Sequence, residues 1–174
     1  MKVFLSCVFL LSTTLSMGAI NNQEVKKYIQ VTEKKYDLPI NLLYAIIKQE
    51  SDFNIHARLD NSHGLGQITE ETGRSFCGLT TKRLYAYKDN INCAASYLRY
   101  QLKRYDNDTY LAIAAYNTGT SLVCNGSVYV RKLNKKLGIP YDDSNYRCTR
   151  KERGLVSNRK YVSKVIKYWE MKKS

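Results

Sequence analysis

Residues 110–116 constrain the fold most, because their side chains are apolar all the way round a helix. A helix of this kind has no face for water, so other parts of the chain have to surround it. Gly119 follows three residues later and predicts the end of that helix. We therefore expect a buried central helix that the other elements of the domain cover.

Four further segments carry apolar residues at helical spacing. The second of them contains Pro39, a typical first-turn residue, followed by Leu42, Leu43, Ile46 and Ile47. The others lie at residues 25–36, 90–105 and 158–171. Strand signals are weak, so the sequence predicts a mainly α fold class.

Nothing in the chain divides it into separate units. The 174 residues include only 2 Pro and 9 Gly, and they contain no repeat, no low-complexity tract and no flexible linker. A chain of this length suits one ordinary domain with one core. We expect a single catalytic or binding domain over residues 19–174.

The first residues are typical of a secretory signal peptide. Lys2 precedes an apolar run at residues 3–15, and the small residues Ser16 and Gly18 follow it. The run is shorter than the ~20 apolar residues that a membrane-spanning helix needs. We predict a signal peptide over residues 1–18, a periplasmic or secreted mature protein, and no integral membrane anchor.

Four cysteines remain after the leader and its Cys7 are removed, and an even number fits an oxidising compartment. Four cysteines allow three pairings, and of these we favour Cys77 with Cys93 and Cys124 with Cys148, which close loops of moderate length. Four buried thiols are the alternative. A zinc site is disfavoured because the cysteines are far apart and neither histidine lies at ligand spacing from one.

The charge of the chain favours a polyanionic partner. The sequence has 28 Lys and Arg against 15 Asp and Glu, a formal net charge of +13. The basic residues are spread along the chain, and an exported protein rarely meets nucleic acid, so we expect no nucleic-acid partner. An anionic membrane surface and an anionic cell wall both stay open on the charge alone.

Glu50 is the residue that points to chemistry. On a helix that contains Leu42, it lies about 80° from that residue, between Ile46 and Leu43 on the apolar face. Burial disfavours the charged form of a carboxyl, so we expect a raised pKa, as a general acid requires. The alternative is that the helix ends here and Glu50 points to water.

Three sequence blocks resemble the signature of the lytic transglycosylases. They are residues 47–54 (IKQESDFN) with Ala57 after them, residues 64–69 (GLGQIT), and residues 115–119 (AYNTG). The last helix, with Tyr161 and Val162, is similar to the closing helix of that family. The resemblance implies a lysozyme-like fold for the single domain, and its small form is similar to enzymes that open the cell wall for type IV secretion and conjugation machinery.

The resemblance also implies a reaction. Glu50 would act as the lone acid and base on the β-1,4 bond between N-acetylmuramic acid and N-acetylglucosamine in peptidoglycan glycan strands. The muramic C6 hydroxyl would close a 1,6-anhydro ring without water, whereas ordinary glycosidases use two carboxyl groups. No metal and no cofactor are implied.

By the same resemblance, five residues are expected to bind substrate. Tyr116 matches the tyrosine that supports the glutamate and the sugar, Gln67 and Asn117 match positions lining the glycan groove, and Gly64 would allow close backbone approach there. Ser51 either contacts the sugar or bonds to backbone groups at the helix end.

Some positions depart from the family pattern. Gly66 stands where a methionine is common, which predicts the loss of one apolar wall of the groove. Leu59 stands near a position where a serine is expected, and Ser157 replaces a frequent acidic residue. Residues 124–153 match no pattern.

Two other functions stay open at this stage. A hydrolytic muramidase would use Glu50 together with Asp60 or Asp52 to position a water. Of these two, Asp52 would point away from Glu50 on a continuing helix, whereas Asp60 lies in the loop between the first two blocks. An inactive peptidoglycan-binding or assembly protein would keep the groove without the chemistry.

Overall fold

A computed structural model describes residues 21–119 and 158–173, and helices make up most of these ranges. The mainly α prediction is confirmed. In chain order the helices are α1 (Asn22–Lys35), α2 (Leu42–Ser51), α3 (Glu70–Cys77), a 3₁₀ helix (Thr81–Tyr85), α4 (Tyr87–Arg104), α5 (Thr109–Thr118) and α6 (Arg159–Lys173). None of these helices is long and apolar enough to cross a membrane.

Helix α5 lies at the centre, as its composition predicted. All residues from Leu111 to Tyr116 are buried, and Gly119 ends the helix with a positive φ of 77°. Helices α4 and α6 both pack against α5, and α6 also packs along α2. The first turn of α6 therefore lies close to the end of α2.

Helix α2 begins later than Pro39 indicated. Asn41 is its N-cap residue, with a φ of 65°, and Pro39 lies in the preceding turn, where its carbonyl accepts a hydrogen bond from the Leu42 amide. The free amides of this helix end are satisfied from α1. The buried Glu33 accepts hydrogen bonds from the backbone N–H of Asn41 (3.0 Å) and Tyr44 (3.1 Å), which anchors the start of α2.

Helix α3 was not predicted, because it has no apolar stripe. Its ends are set by local chemistry: the Thr69 hydroxyl accepts a hydrogen bond from the Thr72 amide, and Gly78 ends the helix in the left-handed conformation. Gly73 is its one buried residue, and a Cβ there would lie 3.0 Å from the Leu84 side chain. Close packing at a glycine thus replaces the apolar stripe.

A small antiparallel sheet, also unpredicted, lies between α2 and α3. It has the order β1 (Arg58–Leu59), β2 (Ser62–His63) and β3 (Ile68–Thr69). The buried side chain of Asn90 on α4 holds the loop between β2 and β3. It donates to the carbonyls of His63 (2.9 Å) and Leu84 (2.7 Å) and accepts from the Gly66 amide (2.7 Å).

A disulfide joins Cys77, the last residue of α3, to Cys93 of α4, which confirms one of the two predicted bridges. It closes a loop across a sequence separation of 16 residues, for which restriction of the unfolded chain contributes about 3 kcal/mol. The other predicted pair, Cys124 with Cys148, lies outside the described residues, as does the predicted signal peptide over residues 1–18.

Candidate active site

A cleft of about 660 Å³ runs across the surface beside the end of α2. Four regions line it: the last turn of α2, the small sheet with its loop, the first turn of α3, and the end of α5. Tyr97 of α4 adds an aromatic ring to the wall. The cleft thus brings together the three sequence blocks, which are far apart along the chain.

Glu50 lies in this cleft, near the C-terminal end of α2. The helix continues through Ser51, so Glu50 does not point into the turn that follows, and its side chain is half-buried. Burial raises its pKa from the ordinary value of 4.5 to about 7, and a hydrogen bond from Tyr161 partly opposes this rise. A substantial fraction of Glu50 is therefore protonated at neutral pH, in agreement with the helical phase of the sequence.

Tyr161, in the first turn of α6, is the direct partner of Glu50. Its hydroxyl donates a hydrogen bond to Glu50 Oε1 at 2.5 Å. Burial, followed by the nearby negative charge of Glu50, holds the pKa of Tyr161 well above its usual value, so it stays a donor. Tyr161 was predicted only as a member of the closing helix, because no local sequence pattern pairs it with a residue 111 positions away.

Tyr116 lies at the base of the cleft and is buried. Its hydroxyl donates to the Gly66 carbonyl at 2.9 Å, which ties the end of α5 to the loop between β2 and β3. Burial raises its pKa well above the usual value, and the negative charge of Glu50 adds to this effect. Tyr116 thus supports the loop beside Glu50, while Tyr161 contacts the carboxyl.

Three other predicted residues line the cleft, each already bonded to the protein. The Gln67 amide nitrogen donates to the carbonyls of Ala57 (3.1 Å) and Gly64 (2.8 Å), which leaves its oxygen for a ligand. The Ser51 hydroxyl donates to the Ile47 carbonyl at 3.2 Å. Asn117 is exposed and accepts a hydrogen bond from Asn158 at 2.9 Å.

Gly64 differs from its predicted place, because it is buried and does not line the cleft. Its φ is 71°, and a Cβ at this position would lie 2.4 Å from the Leu84 carbonyl oxygen and 2.5 Å from the Asn90 amide nitrogen. The close approach that requires a glycine here is to the protein itself. Gly64 therefore shapes the loop beneath the groove.

Two further carboxylates line the cleft, and both are exposed. Asp52 follows α2 and pairs with Lys48 one turn earlier, and Glu71 lies in the first turn of α3. Asp60 lies in the exposed turn between β1 and β2, outside the cleft lining. Among the carboxylates that line the cleft in the described ranges, Glu50 alone is withdrawn from solvent. In the same ranges no cluster of His, Cys, Asp and Glu is suited to hold a metal ion.

The model of the transglycosylase SLT domain family matches residues 27–139, which is more than half of the chain. The chain belongs to the transglycosylase SLT domain family. A solved structure similar to it is that of an inactive mutant of the lytic transglycosylase Slt from Pseudomonas aeruginosa, with 26% sequence identity and a TM-score of 0.54. The similarity covers 85% of this chain and 24% of that one, so this chain spans about a quarter of that protein's length. The lysozyme-like fold is thereby confirmed.

The structure accounts for one departure from the SLT family pattern. A Cβ at Gly66 would lie 2.8 Å from both the Tyr116 hydroxyl and the Ala94 methyl group. The space beside Gly66 is therefore occupied, and a longer side chain would fit there only if these neighbours moved. The predicted loss of an apolar groove wall stays a prediction. Leu59, the second departure, is exposed and lines the cleft, whereas Ser157 lies outside the described residues.

Proposed function

We propose that this SLT family member is an exported peptidoglycan lytic transglycosylase. It cleaves the β-1,4 bond between N-acetylmuramic acid and N-acetylglucosamine and leaves a 1,6-anhydro end. The observation that supports this best is the environment of Glu50, a half-buried carboxyl in an open cleft. Its pKa is raised to about 7, and it accepts a hydrogen bond from the Tyr161 hydroxyl.

Glu50 acts first as an acid. Its proton goes to the glycosidic oxygen as the bond from that oxygen to muramic C1 breaks, so N-acetylglucosamine leaves with a free 4-hydroxyl group. A pKa near the working pH favours this transfer, because much of the group is protonated and it is still acidic enough to donate its proton. Positive charge develops at C1, facing the newly formed carboxylate of Glu50.

Glu50 then acts as a base. Its carboxylate takes the proton of the muramic C6 hydroxyl while that oxygen bonds to C1, which closes the anhydro ring and restores the acid without consuming water. Tyr161 stabilises the carboxylate between the two steps, because its hydrogen bond favours the charged form. One carboxyl suffices for both steps, which fits a cleft where Asp52 and Glu71 remain solvated.

The proposed setting is the cell wall. Residues 1–18 direct export, the mature protein lies in the periplasm or outside the cell, and the positive charge of the chain favours adhesion to anionic wall polymers. Local opening of the wall for a secretion or conjugation apparatus is the role we propose.

Export is tested by N-terminal sequencing of protein released by osmotic shock. The released chain should begin near Gly18 or Ala19. Recovery of a chain that still begins at Met1 would contradict it.

The activity is tested by digesting purified sacculi with the oxidised mature protein and analysing the products by mass spectrometry. We expect muropeptides with 1,6-anhydro ends, each one water lighter than a reducing end, and none from the Glu50→Gln variant. Reducing ends together with a dead Asp60→Asn or Asp52→Asn variant would identify a muramidase instead. An inactive wild type that still sediments with sacculi would identify a binding protein.

A further inference from the structure

Three aromatic rings of α3 and α4 pack against one another beside the cleft. Phe76 packs against Tyr97 (ring centroids 5.4 Å apart) and Tyr100 (5.5 Å), and Tyr97 stacks on Tyr100 (6.3 Å). We name these three residues the aromatic shelf. Tyr97 lines the cleft and contacts Tyr116 at 5.6 Å, so the shelf begins inside the active site.

The two outer rings lie about one helical turn beyond a residue that lines the cleft. On α3, Thr72 lines the cleft and Phe76 follows four residues later on the same face. On α4, Tyr97 lines the cleft and Tyr100 follows three residues later. One turn advances about 5.4 Å along a helix, a step similar in size to one pyranose ring.

The outer two rings are open to solvent, although they are large and apolar. Phe76 and Tyr100 are each 41% exposed. Single exposed apolar residues are ordinary, but here two exposed rings contact each other and a cleft residue. The disulfide from Cys77, adjacent to Phe76, to Cys93, one turn before Tyr97, fixes α3 against α4. The rings are thus held in place before any ligand binds, which lowers the ordering cost of binding.

We propose that the aromatic shelf binds a further sugar ring of the glycan strand, beyond those held in the cleft. The inference rests on the proposed function for the identity of the ligand. The C–H face of a pyranose is apolar and packs on aromatic rings, whereas its hydroxyl groups stay in water, as a half-open shelf requires. A protein partner fits less well, because two partly exposed rings offer far less than the roughly 1,200 Å² that a specific protein interface buries.

The test measures binding of chitin oligosaccharides, from two to six sugars, by calorimetry. The protein carries Glu50→Gln, so that no turnover interferes. We expect the affinity to rise with the length of the oligosaccharide. In Phe76→Leu or Tyr100→Leu, the gain in affinity from the last added sugar should disappear. The longest oligosaccharide should then bind about three- to tenfold more weakly. Phe76→Tyr and Tyr100→Phe keep the ring and should bind as the parent does, as should Val31→Ala, an exposed apolar site on α1.

Several results would overturn the shelf as a sugar site. They are unchanged affinity in both leucine variants, an equal loss at every oligosaccharide length, and no oligosaccharide binding by the parent protein. Thermal melting checks that the variants fold. Light scattering measures the oligomeric state as a further check. A dimer that is lost in Phe76→Leu would show that the shelf is a contact between two copies of the chain. Failure of the proposed function would be seen in a different experiment. Digests of sacculi by the wild type would then lack 1,6-anhydro ends.

Discussion

Glu33 and Glu50 lie near opposite ends of helix α2, and in both side chains burial raises the pKa of the carboxyl. They differ in what opposes that rise. Backbone N–H groups of Asn41, Leu43 and Tyr44, fixed at the start of α2, bond to Glu33, which is only 3% exposed. Within the described residues, Glu50 accepts a hydrogen bond from one side chain, Tyr161, and it is open to the cleft.

The contrast separates a carboxyl that holds structure from one suited to transfer protons. Several backbone donors satisfy Glu33, and they cannot move without unwinding α2. Glu50 can gain or lose a proton while one tyrosine hydroxyl stays in place. Burial alone therefore does not identify a catalytic acid. The donors and the access to solvent decide it.

The largest expected difference is in cleavage rate. Glu50→Gln should lower the cleavage of sacculi at least a hundredfold, because the amide neither gives nor takes the proton. Glu33→Gln should cost no more than a few-fold per folded molecule, because Glu33 lies away from the cleft lining. Release of soluble muropeptides measures both rates. Equal losses in the two variants would remove the distinction.

The pH dependence of stability should also separate Glu50 from its amide variant. A carboxyl whose pKa is higher in the folded state stabilises the protein below its unfolded pKa, and this contribution is lost as the pH rises through the folded value. For Glu50 the window runs from 4.5 to about 7, and the loss is about 3 kcal/mol. Urea unfolding at pH 5 and pH 8 should show that the free energy of unfolding of the wild type falls relative to that of Glu50→Gln as the pH rises. A constant difference between the two proteins would contradict the raised pKa.

Removal of the Glu33 carboxyl should affect stability directly. Glu33→Ala leaves the amides of Asn41 and Tyr44 without their acceptor and should cost about 1 to 3 kcal/mol in the free energy of unfolding. Glu50→Gln should change the same quantity little at pH 5, where Glu50 is already mostly neutral. Chemical denaturation at pH 5 compares the two variants. A stable Glu33→Ala protein would show that water replaces the carboxyl.

The smallest expected effect concerns Tyr161. Its hydrogen bond lowers the pKa of Glu50, so Tyr161→Phe should move the alkaline limb of the activity profile to higher pH. The rate should fall a few-fold, because the carboxylate formed between the two steps loses its donor. The pH profile of kcat/KM measures the shift, with Tyr168→Phe on the same helix as control. An alkaline limb at the same pH or at a lower pH would argue against the hydrogen bond from Tyr161 to Glu50.

Local patterns in the sequence determined much of this protein. Apolar spacing predicted α1, α2, α4, α5 and α6, and the phase of Glu50 in α2 predicted its raised pKa. The three motif blocks indicated the family, and loop length favoured the Cys77–Cys93 bridge. These features succeed because each depends on residues within a few turns of one another.

Only the tertiary structure decided which distant residues meet. It placed Tyr161 on Glu50 across 111 residues, buried Gly64 against Leu84 and Asn90, and left Asp60 outside the cleft lining. Helix α3 was missed for a related reason, because two caps and the contact of Gly73 stabilise it in place of an apolar stripe. Periodicity reports that a side chain is buried, but its partner depends on how the helices dock, and docking is a property of the whole core.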